Sequence, residues 1–452
     1  MEKKLVIPIE IKNRELDAAI VLAVKALSKG WTVFLGQKQQ IWPMIELLQG
    51  SVYFLKSIVP GEFNNLKKIK KNYNFITSLD IEGLNIGVEP IGVTRRYSKE
   101  TIQIADKIFF WGRNDFLRVS KKFKSIKKKS IVSGSPVVDA WKIQLKKLNN
   151  INNDNSILIS MNFMRGDPSI KHVKYDLEKH MMGHKISNKQ VDYLKREYEL
   201  KDLSFKDFYD ITGFLSKRFP NRKIIVRPHP EENISRYKKL EKKFNNLIID
   251  NYSSRIKQLK KCSAFIHFNS TMSMQAFFMK KNVIMYNPIR NKRATSILCP
   301  VPKLVSHEVK NKKSLISSIT NPKTKKVRIG KFLENYNKDS TKKIIQNFEI
   351  LIRKKKIKES NKLNYFFELL YLSKYKLKQY IFFLLGIFSL FIPSLRKKYW
   401  RGRYFFKFIN SKWSPLSKSN LIKLLKYYKC KKIHKLKLKK HLSGMYEIKY
   451  DI

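Results

Sequence analysis

The sequence predicts an α/β protein made of two doubly wound, Rossmann-like halves followed by a basic carboxyl-terminal region. Three observations carry that expectation. Short apolar runs alternate with helix-patterned stretches over residues 5–132, and a second alternating set occupies 157–286. Between them lies KKLNNINNDN, residues 146–155, which is polar, asparagine-rich and aperiodic, as a linker is. With 452 residues, 43% of them hydrophobic, the chain can fill two cores and leave an appendage. The expected boundaries are a first domain at 1–148, a linker at 149–155, a second domain at 156–353 and a tail at 354–452.

The elements follow in order. Residues 5–9 read as the first strand, and 14–29 as a helix with Leu16, Ala19, Ile20, Ala23 and Leu27 on one face and Gly30 as its stop. Strands are expected at 32–35, 52–55, 75–79, 107–111 and 130–132. In the second half they are expected at 157–160, 223–226, 247–249, 264–267 and 283–286, with helices near 207–218, 233–244, 254–261 and 271–279. The segment 161–190 carries His172, His180 and His184 without a carboxylate or cysteine at ligand spacing, so no metal is expected there.

The formal net charge is +60. Lysine is in excess everywhere, together with asparagine and isoleucine, and no compact nucleic-acid motif appears, so nucleic acid is not the expected partner. The three cysteines, Cys262, Cys299 and Cys430, form neither a disulfide framework nor a metal set. The apolar run at the amino terminus is cut by Glu10 before a signal core could form, so the body is expected to be cytoplasmic. From residue 354 the only acids are Glu359, Glu368, Glu447 and Asp451, among dense lysines and recurring aromatics. There YIFFLLGIFSLFIPSL, residues 380–395, falls short of the ~20 residues of a span. Its basic flanks on both sides favour an in-plane or re-entrant helix on an anionic leaflet, with a single tilted span as the alternative, and make the tail a basic α-helical, membrane-associating region on the inner face of a membrane.

Candidate chemistry sits at strand exits. KIIVRPHPEEN stops an apolar strand at Arg227, and the two prolines hold the chain extended so that His229 is presented at the strand's carboxyl end, with Pro230 behind it. HFNSTMSMQAF ends another strand of the same half and opens a helix with Asn269, Ser270 and Thr271, whose hydroxyls and amides suit an anion. In the first half, FITSLDIEG places Asp80 and Glu82 just past a buried strand, where desolvation could lift a carboxyl toward general-base duty. Glu10, Arg14 and Glu15 follow the first strand. Gly112 in FFWGRND and Gly134 in VSGSPVVD mark further exits that let backbone approach a ligand, and Asn162 in SMNF is a further cleft candidate.

The succession IEIKNREL, FLGQK, LDIEG, FFWG, VSGSPVVD, SMNF, VRPHPEEN and HFNSTMSMQA resembles bacterial surface-carbohydrate biosynthesis proteins of capsule or lipopolysaccharide assembly. It is also similar to GT-B enzymes with CMP-sugar donors, the sialyltransferase- and Kdo-transferase-like group. The resemblance covers residues 6–288. It implies two domains facing a cleft and a membrane-associated glycosyltransferase that moves a sugar, preferably from a CMP-sugar, to a saccharide or lipid-linked acceptor. It further implies that Glu82 or Asp80 acts as the base, that His229, Ser270 and Thr271 hold the donor phosphate, and that no metal or other cofactor takes part. Ser135 and Val137 depart from the more polar turn of that group. The alternatives are transfer of a polyol phosphate from a CDP-alcohol, nucleotide-sugar epimerisation, and a non-enzymatic RNA-binding or membrane-scaffold protein.

Overall fold

The computed structural model describes residues 2–85, 90–147, 153–160, 163, 188–229, 232, 234–250, 252–289, 295, 297–353, 365–389, 391–392, 394 and 413–451. The strands are β1 (Lys3–Ile9), β2 (Trp31–Gln37), β3 (Val52–Leu55), β4 (Phe75–Leu79), β5 (Lys107–Phe110), β6 (Ser130–Val132), β7 (Ser156–Ser160), β8 (Ile224–Arg227), β9 (Leu247–Ile249), β10 (Cys262–His267), β11 (Asn282–Tyr286), β12 (His307–Val309), β13 (Leu436–Lys440) and β14 (Tyr446–Tyr450). Among the helices are α1 (Lys12–Leu27), α2 (Arg113–Lys122), α3 (Asn188–Arg218), α4 (Arg255–Lys261), α5 (Met272–Phe278), α6 (Ser340–Arg353) and α7 (Tyr365–Phe388).

The chain forms two compact units: Met1–Ile81 with Tyr97–Ala140 and Leu333–Ile452, and Glu82–Arg96 with Trp141–Phe332. These do not follow the boundaries expected at 148 and 353, because the chain returns to the first unit after completing the second. The α/β class and the two Rossmann-like halves are present.

The first unit holds an eight-stranded sheet in the order β13-β14-β2-β1-β3-β4-β5-β6. Strands β1 to β6 run parallel, and β2 is buried along all seven residues, as a central strand covered on both faces must be. Helix α1 begins two residues earlier than the periodicity predicts. The Glu15 carboxylate accepts the N–H groups of Glu10 and Ile11, both at 2.9 Å, and so closes the turn that opens the helix. Helix α6 belongs to the returning segment. Its Phe348 meets Trp31, Phe54 and Phe109 at ring-centroid distances of 6.0, 5.9 and 5.9 Å, so residues beyond the second unit finish the first unit's core.

The expectation of an α-helical tail is corrected at its end. β13 and β14 form an antiparallel hairpin, and β14 pairs antiparallel with β2. The cause is visible in LKLKK and YEIKY, which alternate with period two around a turn at Gly444, where φ is +87°. Residues 380–388 of the apolar run form the end of α7, which already begins at Tyr365. No helix among the described residues is long and apolar enough to cross a membrane.

The second unit holds six parallel strands in the order β12-β11-β10-β7-β8-β9. Counted from β7 this is 3-2-1-4-5-6, the doubly wound order whose direction reverses between β7 and β10. β12 was not expected, since HEV is too short to carry a pattern. One face of the sheet is closed by α3, through Phe208 against Phe163 and Tyr286 at 5.2 and 5.8 Å. Most of the histidine-bearing segment 161–190 lies outside the described residues.

Candidate functional site

In a doubly wound sheet, ligands bind beyond the carboxyl ends of the strands at the point where strand order reverses. In the second unit that point lies between Ser160, the last residue of β7, and His267, the last of β10. Ser160 Oγ donates to Ser270 Oγ at 3.3 Å, and both residues are almost buried. Behind them His267 is fully buried, and burial pushes its imidazole down to about 3, so it stays neutral. Its Nδ1 accepts from Ser270 N at 3.3 Å, which assigns the proton to Nε2 and makes that nitrogen the donor to Ser306 Oγ at 2.8 Å. Ser306 then donates to Pro302 O at 2.6 Å. This chain of bonds fixes the turn that carries Ser270. His267 stood in the quoted motif but was not singled out; its place as the last residue of a buried strand was the available signal.

The start of α5 differs from the open anion site expected of it. Ser270 Oγ already accepts Met272 N at 3.3 Å, and the amides of Ser273 and Met274 bond to the carbonyls of Ser270 and Thr271, both at 3.1 Å. The helix has only seven residues, and side-chain hydroxyls rather than bare amides are its polar offering. Asn269 makes a reciprocal pair with the Cys299 backbone, Nδ2 to O at 3.3 Å and N to Oδ1 at 3.2 Å, which ties the turn to a neighbouring loop. Thr271 is half-buried at the cap of α5.

His229 leaves β8, which pairs with β7 on the side away from β10, so one strand separates His229 from the Ser270 turn. Its ring is half-buried. The exit is organised by Glu232, which sequence reasoning passed over although it stands in the same motif. Glu232 is buried and accepts from Phe163 N at 2.6 Å, from His229 N at 3.3 Å and from the Tyr237 hydroxyl, linking the exits of β7 and β8. Arg227 points into the fold: its Nη1 donates to Ser253 O at 2.8 Å and to Gln258 Oε1 of α4 at 2.6 Å. Burial, reinforced by Arg255, lowers its guanidinium to about 10. Pro230 and Asn162 lie outside the described residues.

The first sheet, read 2-1-3-4-5-6, reverses between β1 and β3. There Glu10 meets Lys56 at 3.0 Å and Lys38 at 3.6 Å, and Lys38 also pairs with Glu62. Burial opposes the charge of Lys38, but Glu62 and Glu10 outweigh it and hold the ammonium above its usual range. Arg14 lies half-buried in the first turn of α1. Glu15 is raised by burial, against the pull of Lys56, and works as the turn closure described above. A small pocket open to solvent lies beside this network, between Pro8, Ile9, Phe54, Lys56, Ile81 and Pro136.

Asp80 follows β4 within the first unit and is buried, and its carbonyl accepts from Trp111 Nε1 at 2.7 Å. Its carboxylate acts on Asp115, a buried residue in the first turn of α2. Burial, then Asp80, push the Asp115 carboxyl up to about 8, against Arg118. One acid of this pair therefore carries a proton at neutral pH. Asp115 closed the quoted motif FFWGRND yet was not chosen. Glu82 belongs to the second unit and pairs with Arg96 at 3.0 Å, so the two carboxylates read together from the sequence are divided between units.

The two glycines differ, and only Gly134 is corrected. Gly112 is extended at the cap of α2 with φ −160°, a conformation any residue adopts. Gly134 has φ +78°, and a Cβ there would stand 2.1 Å from Asn335 Oδ1, so a side chain of the same unit occupies the space assigned to a ligand. Asn335 bonds to Ser135 N and O, both at 3.1 Å, and to Asp139 Oδ1 at 2.8 Å, while Asp139 Oδ2 accepts from the amides of Ser340 and Thr341 at 3.0 Å. VSGSPVVD is thus the latch for the returning chain. Among the described residues no group of histidine, cysteine and carboxylate side chains could hold a metal ion.

No protein-family model matches the chain, and no curated protein matches it. Solved structures similar to it include a Listeria monocytogenes protein described as a candidate UDP-N-acetylglucosamine 2-epimerase, at 10% identity and a TM-score of 0.47, covering 80% of this chain and 100% of that one. Others are the UDP-N-acetylglucosamine 2-epimerase of Rickettsia bellii (11%, 0.45, 78% and 98%) and the Methanocaldococcus jannaschii UDP-GlcNAc 2-epimerase in complex with UDP-GlcNAc and UDP (14%, 0.43, 77% and 100%).

Proposed function

We propose that the chain is an enzyme of surface-carbohydrate biosynthesis that binds a nucleotide-activated sugar in its second unit and breaks the anomeric C–O bond to the nucleotide. The observation that carries this reading is the Ser160–Ser270 hydroxyl pair at the reversal point of a 3-2-1-4-5-6 sheet, braced from behind by neutral His267. Ser270, the acceptor of that pair, would donate its own hydroxyl proton to the nucleotide phosphate, and His229 would meet the charge that grows on it as the bond breaks. The proposal gives this work to protein donors and to no metal.

Two outcomes share that first step. Transfer to a saccharide or lipid-linked acceptor, with CMP as the leaving nucleotide and Glu82 or Asp80 as base, rests on the motif resemblance. Epimerisation of the nucleotide sugar is the second reading: a proton leaves a sugar carbon as the anomeric C–O bond breaks, a proton is returned to the opposite face of that carbon, and the nucleotide oxygen re-forms the anomeric bond.

Incubation with CMP-, CDP- and UDP-sugars in deuterium oxide separates the two. Epimerisation needs no acceptor and leaves deuterium on the sugar carbon, whereas transfer needs an acceptor and leaves none. If no nucleotide sugar of the three kinds binds or turns over, the proposal is wrong.

A further inference from the structure

Helix α7 has two unlike faces. Phe366, Leu370, Leu377, Ile381, Leu384 and Phe388 are all exposed, and at 3.6 residues per turn they fall within an arc of about 60°. Lys374 and Lys378 lie to one side of this stripe and Lys376 to the other, all exposed. The opposite face is fastened to the first unit. Glu368, 3% exposed, takes His441 Nδ1 at 2.6 Å on one carboxylate oxygen and Leu442 N at 3.1 Å on the other, and His441 Nε2 bonds to Glu447 at 3.1 Å. His441 and Glu447 belong to the β13–β14 hairpin, so the helix is tied to the sheet edge itself. Tyr371 on the fastened side bonds to Glu46, and Tyr375 feels the charges of Lys38 and Glu62.

A large apolar stripe held outward by a buried hydrogen-bond network on a folded sheet is a surface made to be covered. We propose that α7 is an interfacial helix that seats the first unit on an anionic lipid bilayer, lying in the membrane plane with its Phe366–Phe388 stripe at the acyl boundary and its lysines among the headgroups. Charge selects this occupant. The margins of the stripe carry lysines and no acids, the sequence beyond the helix continues as RKKYWRGRYFFKF, and the whole chain is +60. A spanning role fails on the same residues, since three lysines stand in the middle of the helix. This inference stands on α7 alone and does not depend on the nucleotide-sugar reading.

Flotation of the full chain with vesicles of phosphatidylcholine, with and without phosphatidylglycerol, tests it. The chain should float with the anionic vesicles, weaken with salt, and lose about tenfold or more of its partition in the double variant Leu377→Asp/Ile381→Asp. The variant should melt like the parent, because both side chains are already exposed. Absence of flotation on anionic vesicles, equal flotation on neutral ones, or a double variant that floats like the parent would overturn the proposal. So would a parent that is dimeric without lipid, becomes monomeric in the double variant and never floats, which would assign the stripe to a second copy.

Discussion

Asp115 concentrates the electrostatic argument in one side chain. Burial and Asp80 push its carboxyl up to about 8, while the unfolded chain releases the same proton near about 4. Below about 4 both states hold the proton and its stability contribution is intact; as pH rises through about 8 the folded state loses that advantage. Asp115→Asn should therefore gain stability on the parent steadily from about pH 4 to about pH 8 and no further above it, measured as denaturant midpoints across pH. Parallel profiles would remove Asp115 from the acid–base pair. His229 gives a second test at this scale. Its ring is half-buried at a strand exit, so His229→Ala should keep the thermal midpoint but lower turnover by about a hundredfold or more if the ring meets the leaving phosphate. His229 could be read from the sequence because prolines bracket it, and Ser270 because it opens a helix after a strand. Asp115 and His267 could not be ranked, because their importance comes from burial and from partners distant in sequence: Asp80 in one case, Ser306 in the other.

Elements were more legible than residues. Strand positions from β1 to β11 follow from apolar runs bounded by turn signals, since a parallel strand buried on both faces needs little else. What the pattern could not carry was the origin of the partner on each face. Phe348 of α6 packs on Trp31, Phe54 and Phe109, yet more than two hundred residues separate it from the nearest of them. Phe348→Ala should cost about 3–5 kcal/mol in the first unit's unfolding transition, far more than the same change at the exposed Phe366. The Gly134 turn repeats the lesson. A glycine at a strand exit looks like room for a ligand, and only the return of Asn335 shows what fills it.

At the scale of the whole molecule, the carboxyl terminus is structural. β14 covers the edge of β2, so a chain ending before residue 413 would expose an unpaired, fully buried-type strand and should aggregate rather than merely leave a membrane, a difference that light scattering reads directly. The change in composition at residue 354 marks a change of surroundings, not a domain boundary, because hydrophobic pattern and charge report what a segment touches and not which unit it joins. Metal dependence belongs at this scale too. The proposed reaction assigns charge stabilisation to protein donors, and EDTA should leave turnover unchanged; restoration of a lost rate by a divalent cation would contradict that assignment.

The nucleotide of the proposed reaction sits at the exits of β7, β8 and β10. Hydrogen–deuterium exchange of the full chain, with and without saturating UDP-, CDP- or CMP-sugar, reads those exits directly. At least one of the three should slow exchange at Ser160, His229 and the turn 269–272. Failure of all three to bind, or binding that protects other segments while leaving these exits unchanged, would contradict it.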